Sequence, residues 1–251
     1  MGFHDHFSGH AALYASARPS YPEELFEFLS VQCAGSGLAI DCASGNGQAT
    51  GSLLKYFDRV LMTDASAEQL KQYAGAGEDN EKLVRVVAVA ERLPVPDQCA
   101  DMLIVAQALH WFDFYSFCEE LDRVLKPGAI FAAWSYGIHS ISPDIDSLIG
   151  YLYEDIIGSY WTPERRMVED GYAGYDFPFQ EIQAPSFKLS KCWSIEQVLA
   201  YLNSWSAVQR YQREKGSNPV EAIEKPLTDL WGEQAQREIQ WPLTLKVRRK
   251  A

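Results

Sequence analysis

Residues 39–54 read AIDCASGNGQATGSLL. An apolar run ends in an acid, Asp41; small residues and two glycines, Gly45 and Gly47, follow, and then a helix start. A strand, a tight turn and a helix in that order predict the first unit of a doubly wound α/β sheet. In such sheets ligands sit beyond the carboxyl ends of the strands, which makes this turn the first candidate site. A dinucleotide fingerprint requires G-x-G-x-x-G/A. Gly45 and Gly47 supply its first two positions, but Thr50 occupies the third and Gly51 falls one place late.

The flanking sequence repeats the strand–helix alternation. DRVLMTDAS (58–66) reads as a second strand ending at Asp64, and Ser66 with Gln69 caps the helix after it. LVRVVAVA (83–90) and ADMLIVAQAL (100–109) are apolar runs expected of parallel strands buried on both faces. FDFYSFCEELDRVLKPG (112–128) has helical periodicity and a Lys-Pro-Gly stop, and AIFAAWSYG (129–137) is a fifth strand. Ser20 and Glu23 form a capping-box pattern for a helix in SYPEELFEFL (20–29). Beyond residue 137 the pattern changes to a stretch dense in Tyr, Trp, Pro and Arg, with two helices between Pro143 and Glu169. FKLSKCW (187–193) is a strand candidate, and SIEQVLAYLNSWSAVQRY (194–211) is one amphipathic helix capped by Ser194 and Gln197. IQWPLTLKVRR (239–249) is a closing antiparallel strand near an edge, since Pro242 cannot donate to a ladder. The expected fold is therefore α/β, Rossmann-like. It has a seven-stranded, mostly parallel sheet with helices on both faces and a helical cap inserted after the fifth strand. Residues 1–30 form an arm and lid helix, 31–136 the cofactor-binding core, 137–182 the cap, and 183–251 the completion of the sheet with a further cap helix.

Composition excludes several classes. The net charge of −12 argues against a nucleic-acid binder, and no apolar run approaches a membrane span. The five cysteines form no CxxC pair or even framework, which predicts reduced thiols in the cytoplasm. His4, His6 and His10 match no zinc spacing, so no metal is expected.

Asp41 sharpens the reading of the glycine turn. An acid there repels a pyrophosphate but suits a cation, and S-adenosylmethionine carries a sulfonium, an ammonium group and no phosphate. Asp64 is placed to accept two ribose hydroxyls, which would serve NAD equally. The segments IDCASGNGQAT, VLMTDAS, VAERLPVPDQCADMLIVAQALHWF and VLKPGAIFAAW resemble, in order and spacing, the class I S-adenosylmethionine-dependent methyltransferases. One departure is Ala43, where the family usually has its first glycine. A closer resemblance, to methyltransferases related to those of trans-aconitate and juvenile hormone acid, rests on FSGHAALYASARPSYPEEL, QALHWF, YWTPERR, YDFPF and LNSWSAVQRY.

The resemblance implies that Asp41, Ala43, Gly45 and Gly47 cradle the methionine part of the cofactor and that Asp64 holds the ribose. Ala90 and Glu91 would meet the adenine edge, Gln107 would lie near the reacting methyl group, and Tyr14 would belong to a lid over the cofactor. The product would be S-adenosylhomocysteine. The acceptor would be a small molecule methylated on oxygen, a carboxylate among the options, by a monomer or homodimer. His110 is the candidate to orient the acceptor or take its proton; a loop histidine bonding its own turn is the other reading. Arg18, Tyr21, Trp111, Trp161, Arg165 and Trp205 are candidates for the acceptor pocket, although packing accounts equally for the aromatics and solvent exposure for the arginines. An NAD(P)-dependent oxidoreductase and a non-catalytic S-adenosylmethionine-binding protein are the alternatives.

Overall fold

The structure, a computed structural model, describes residues 20–73 and 81–251. Its strands are β1 (Leu38–Cys42), β2 (Arg59–Asp64), β3 (Leu83–Val87), β4 (Ala100–Ala106), β5 (Leu125–Tyr136), β6 (Gln180–Glu181), β7 (Lys188–Trp193) and β8 (Arg237–Arg249). The described helices are α1 (Glu23–Gln32), α2 (Thr50–Tyr56), α3 (Ala67–Lys71), α4 (Phe114–Val124), α5 (Pro143–Tyr151), α6 (Arg165–Glu169), α7 (Ile195–Asn203), α8 (Ser206–Lys215) and α9 (Glu221–Trp231). One sheet runs β3–β2–β1–β4–β5–β8–β6, with β7 added against β8. The first five strands are parallel, and β8 runs antiparallel to β5, β6 and β7. Strand order reverses between β1 and β4, and the crevice at that switch point is where such sheets take ligands.

Both sheet faces are covered because α1, α2 and α4 each carry an apolar stripe. Leu25, Phe26, Leu29 and Leu53 pack on Trp134 and Ile104, while Phe117, Leu121 and Val124 pack on Leu103 and Phe131 across the sheet. A third cluster joins Ile145 and Ile149 of α5 to Val198, Leu202, Trp205, Ile223, Leu227 and Trp241. This cap hangs from β8, which pairs with β7 through Arg237–Pro242 and with β5 through Leu243–Arg249. Among the described residues no helix is long and apolar enough to cross a membrane.

The structure corrects several expectations. There are eight strands rather than seven. Among the described residues β3 pairs only with β2, and Val84 and Val87 are exposed instead of doubly buried. β8 is flanked on both sides, and Pro242 sits where it hands over from β7 to β5. Lys126, Pro127 and Gly128 lie inside a strand with a register shift, not between elements. At the first helix Pro22 takes the cap position, while the Glu23 carboxylate accepts from Ser52, Lys55 and Tyr56 and ties α1 to α2. The helix expected over 194–211 keeps its Ser194–Gln197 capping box but breaks into two at Ser204 and Trp205. There Asn203 Nδ2 and Ser204 Oγ bond back to the carbonyls of Leu199 and Tyr201, competing with the helical ladder.

Arg123 pins the loop after β3. It donates to Glu120, to Asp97 and to the carbonyls of Leu93 and Val95, and Glu120 also accepts from the Leu93 amide. The arginine beside Glu120 holds that carboxyl below its ordinary range, outweighing desolvation. Arg123→Ala leaves the nearly buried Glu120 unpaired and is expected to cost about 3 kcal/mol in urea denaturation, at the low end for a buried pair because Arg123 is partly exposed. Faster amide exchange over residues 88–98 should accompany the loss. Unchanged exchange there would contradict the pinning role.

Candidate active site

The glycine turn is one hydrogen-bonded unit. Asp41 sits in β1 between Met62 of β2 and Ile104 of β4, so its carboxylate is fully buried. Thr50 Oγ1 donates to Asp41 Oδ2 at 2.6 Å, whereas Asp41 Oδ1 has no hydrogen-bond partner among the described residues. Burial, opposed by the Thr50 bond and reinforced by the Asp64 charge, pushes the Asp41 pKa up to about 7. Asp64, at the end of β2, accepts from the Gly45 amide at 2.9 Å and the Ser66 amide at 2.8 Å. The Ser44 amide and hydroxyl both bond to the Thr63 carbonyl, which locks the turn against β2.

The backbone explains the small residues. Gly47 has φ 81°, and a Cβ there would stand 2.3 Å from the Tyr73 ring. Ala43 has φ 53° and so adopts the left-handed conformation that glycine would take at that position. The departure from the family pattern thus carries local strain at alanine, of order 1–2 kcal/mol.

Beyond β4 the chain turns through Gln107, another non-glycine residue in the left-handed region with φ 58°. Its amide bonds to the Trp134 carbonyl at 2.9 Å and its side chain to the Tyr136 carbonyl at 3.2 Å. Gln107 then forms the floor of a hollow of about 730 Å³, open mouth included. His110, Trp111, Tyr136, Ile138, Trp161, Thr162, Arg165, Tyr201, Trp205 and Ser206 complete the lining. Among the described lining residues Arg165 is the one whose side chain is a permanent cation. Its guanidinium lies 5.1 Å from the Trp161 ring centre and 5.7 Å from that of Tyr153, and its Nε donates to Tyr153 Oη at 2.8 Å and approaches Glu169 at 3.6 Å.

Asp41, Ala43, Gly45, Gly47 and Asp64 therefore meet in one cluster, and Gln107, His110, Trp111, Trp161, Arg165 and Trp205 line one hollow. Ala90 is buried against Ile40, Cys42 and Leu61 near the strand ends. Glu91 accepts from the Asp113 amide and so braces the start of α4. Tyr21 packs edge-on against Trp134, at 5.3 Å between ring centres, and does not line the hollow. Tyr14, Arg18, His4, His6 and His10 lie outside the described residues. Sequence reading missed two participants. Thr50 counted there only as a missing glycine, although a hydroxyl at the helix start nine residues after a buried acid is a usable signal. Tyr172, whose hydroxyl is 3.2 Å from His110 Nδ1, gave no local signal.

Comparison with known proteins agrees with this geometry. The family described as "Methyltransferase domain" matches residues 40–133, from the strand that carries Asp41 into β5. A Dictyostelium discoideum protein provisionally named a methyltransferase is 31% identical, over 90% of this chain and 86% of its own. A Saccharomyces cerevisiae protein provisionally named an S-adenosylmethionine-dependent methyltransferase is 25% identical, over 83% of both chains. The solved structure of a provisionally named type II methyltransferase from Anaeromyxobacter dehalogenans superposes with a TM-score of 0.84 and 36% identity, covering 92% of this chain and 97% of its own. The chain belongs to the class I S-adenosylmethionine-dependent methyltransferases. The site fits that cofactor: the orphaned, fully buried oxygen of Asp41 calls for a cation, and the turn leaves no third small residue for a pyrophosphate.

The Asp41 pKa lies above the unfolded value of 3.8, so the folded protein holds this proton more tightly than the unfolded chain. This group's contribution is most favourable below pH 3.8 and worsens as pH rises to about 7. Three pKa units correspond to a cost of about 4 kcal/mol at most. Asp41→Asn should raise the melting temperature of the ligand-free protein at pH 8 and change it little at pH 4, while weakening S-adenosylmethionine at least tenfold. Equal effects at both pH values would exclude the orphaned charge as the cause. Ala43→Gly should leave binding intact and stabilise by up to ~1 kcal/mol through release of strain; destabilisation on thermal melting would count against the strain.

Proposed function

We propose that this methyltransferase acts on a small molecule, at oxygen, and specifically on a carboxylate. The observation that carries the reading is the hollow beyond β4 and β5, with aromatic walls and, among the described residues, one guanidinium, in a protein of net charge −12. An acidic protein repels anions in general, so a preoriented cation in an aromatic-walled cleft favours a ligand that brings both an apolar body and a negative charge. The resemblance to trans-aconitate and juvenile hormone acid methyltransferases points the same way. S-adenosylmethionine supplies the transferable methyl group on a sulfonium.

In this reading Asp41, Ala43, Gly45, Gly47, Asp64, Ala90, Glu91 and Gln107 hold the cofactor, Asp41 through its orphaned oxygen and Asp64 at the ribose. Trp111, Trp161 and Trp205 exclude water and fix the acceptor's body, while Arg165 sets its orientation. His110 directs a polar edge of the acceptor. A carboxylate is already a nucleophile at neutral pH, so the chain's task is alignment and desolvation more than proton removal, and positioning alone can supply several kcal/mol.

A panel of small aliphatic and aromatic acids, alcohols, phenols and amines, assayed for S-adenosylhomocysteine formation, tests the acceptor. Turnover is expected with acids and not with the corresponding alcohols or amides. Arg165→Ala should raise KM for the best acid tenfold or more with a smaller change in kcat, the signature of lost binding. Turnover confined to amines, phenols or alcohols would overturn the carboxylate reading.

A further inference from the structure

Tyr172 reaches His110 from the far side of the cap, 62 residues along the chain. It follows α6 in a turn where Gly171 has φ 59° and Tyr172 itself φ 58°. That conformation is rare for a bulky L-residue. A Cβ on Gly171 would stand 2.9 Å from Thr244 Cγ2, so glycine is the residue that lets this turn close onto β8. The result is a phenol only 2% exposed, its ring nearly parallel to the His110 imidazole, with Oη 3.2 Å from Nδ1.

A buried phenol has one proton to place. The Ser135 hydroxyl, also buried in this region, acts on the Tyr172 oxygen as a donor, opposing the rise that burial gives the phenol's pKa, and so does not take the phenol's own proton. Leaving a buried O–H donor unmade is costly, whereas a hydroxyl oxygen with an unused lone pair is cheaper. The hydroxyl proton therefore belongs on the line to Nδ1. We propose that Tyr172 is a positioning residue that donates to His110 Nδ1 and holds the imidazole as its Nε2–H tautomer. His110, which lines the hollow, then offers the acceptor a hydrogen-bond donor and not a base. This deepens the carboxylate reading and rests on it for its meaning: an acceptor already ionised needs a donor to fix one oxygen, while a phenol or ammonium acceptor needs a base.

The tautomer is measurable without any acceptor. Long-range nitrogen–proton spectra of the full-length, 15N-labelled protein at mildly alkaline pH separate Nε2–H from Nδ1–H imidazoles. The His110 signal is identified among the five histidines by its loss in His110→Gln. The Nε2–H form should dominate, with Nδ1 shifted as a hydrogen-bond acceptor. In Tyr172→Phe the ratio of Nε2–H to Nδ1–H should fall about fivefold, the equilibrium factor of one hydrogen bond of ~1 kcal/mol. A dominant Nδ1–H form in the wild type, or an unchanged ratio in a folded Tyr172→Phe protein, overturns the proposal. If that variant does not fold, the wild-type spectrum decides by itself. A failed acid screen with an intact Nε2–H signal removes the carboxylate reading and leaves the tautomer assignment standing. Turnover of acids with an Nδ1–H ring does the reverse.

Discussion

One buried carboxylate governs the arrangement of the cofactor site. Asp41 lies inside the sheet with strands on both sides, where an ionised group is expensive. Thr50 satisfies one of its oxygens and nothing in the described protein satisfies the other. A ligand cation relieves the penalty that folding leaves behind. Phosphate-bearing cofactors would deepen it. In the proposed reading the same carboxylate disfavours one cofactor class and favours another.

Three of the five described non-glycine residues with positive φ lie at or beside this site: Ala43 in the glycine turn, Gln107 lining the hollow and Tyr172 against His110, with φ between 53° and 58°; Gln98 and Phe179 are the other two. Such conformations persist only where the surroundings over-determine them. At Ala43 the ladder to β2 does so, at Gln107 the bonds to the Trp134 and Tyr136 carbonyls, and at Tyr172 the approach of Gly171 to β8. The cofactor half is fixed by parallel strands close in sequence. The walls of the hollow come in part from the cap, where α5, α7 and α9 share a core with Trp241 of β8.

What could be read from the chain follows this division. Asp41, Gly45, Gly47 and Asp64 were legible because strand, turn and helix are local signals and their spacing is short. Gln107, His110 and Trp111 were legible because they directly follow an apolar strand. The strand that was missed is β6, whose two residues carry no pattern, and the flanking of β8 on both sides was hidden by the handover at Pro242, which depends on pairing across more than fifty residues. The exposure of β3 could not be read either, since a run of valines looks the same at an edge as in a sheet centre. Tyr172 offered no pattern at all, because its contact with His110 depends on the path of the cap. The break at Trp205 was concealed by periodicity that continues through it, although Asn203 and Ser204, both residues that bond back to the backbone, mark the place.

The central claim is that a protonated, half-satisfied Asp41 releases its proton to solvent when the cationic cofactor binds. Calorimetric titration of the wild-type protein with S-adenosylmethionine at pH 6, in buffers of differing ionisation enthalpy, reads that proton directly. With a ligand-free pKa of about 7, the account predicts release of close to one proton per cofactor bound, and its disappearance in Asp41→Asn. Binding with no buffer dependence, or with the same proton release in the variant, would contradict it.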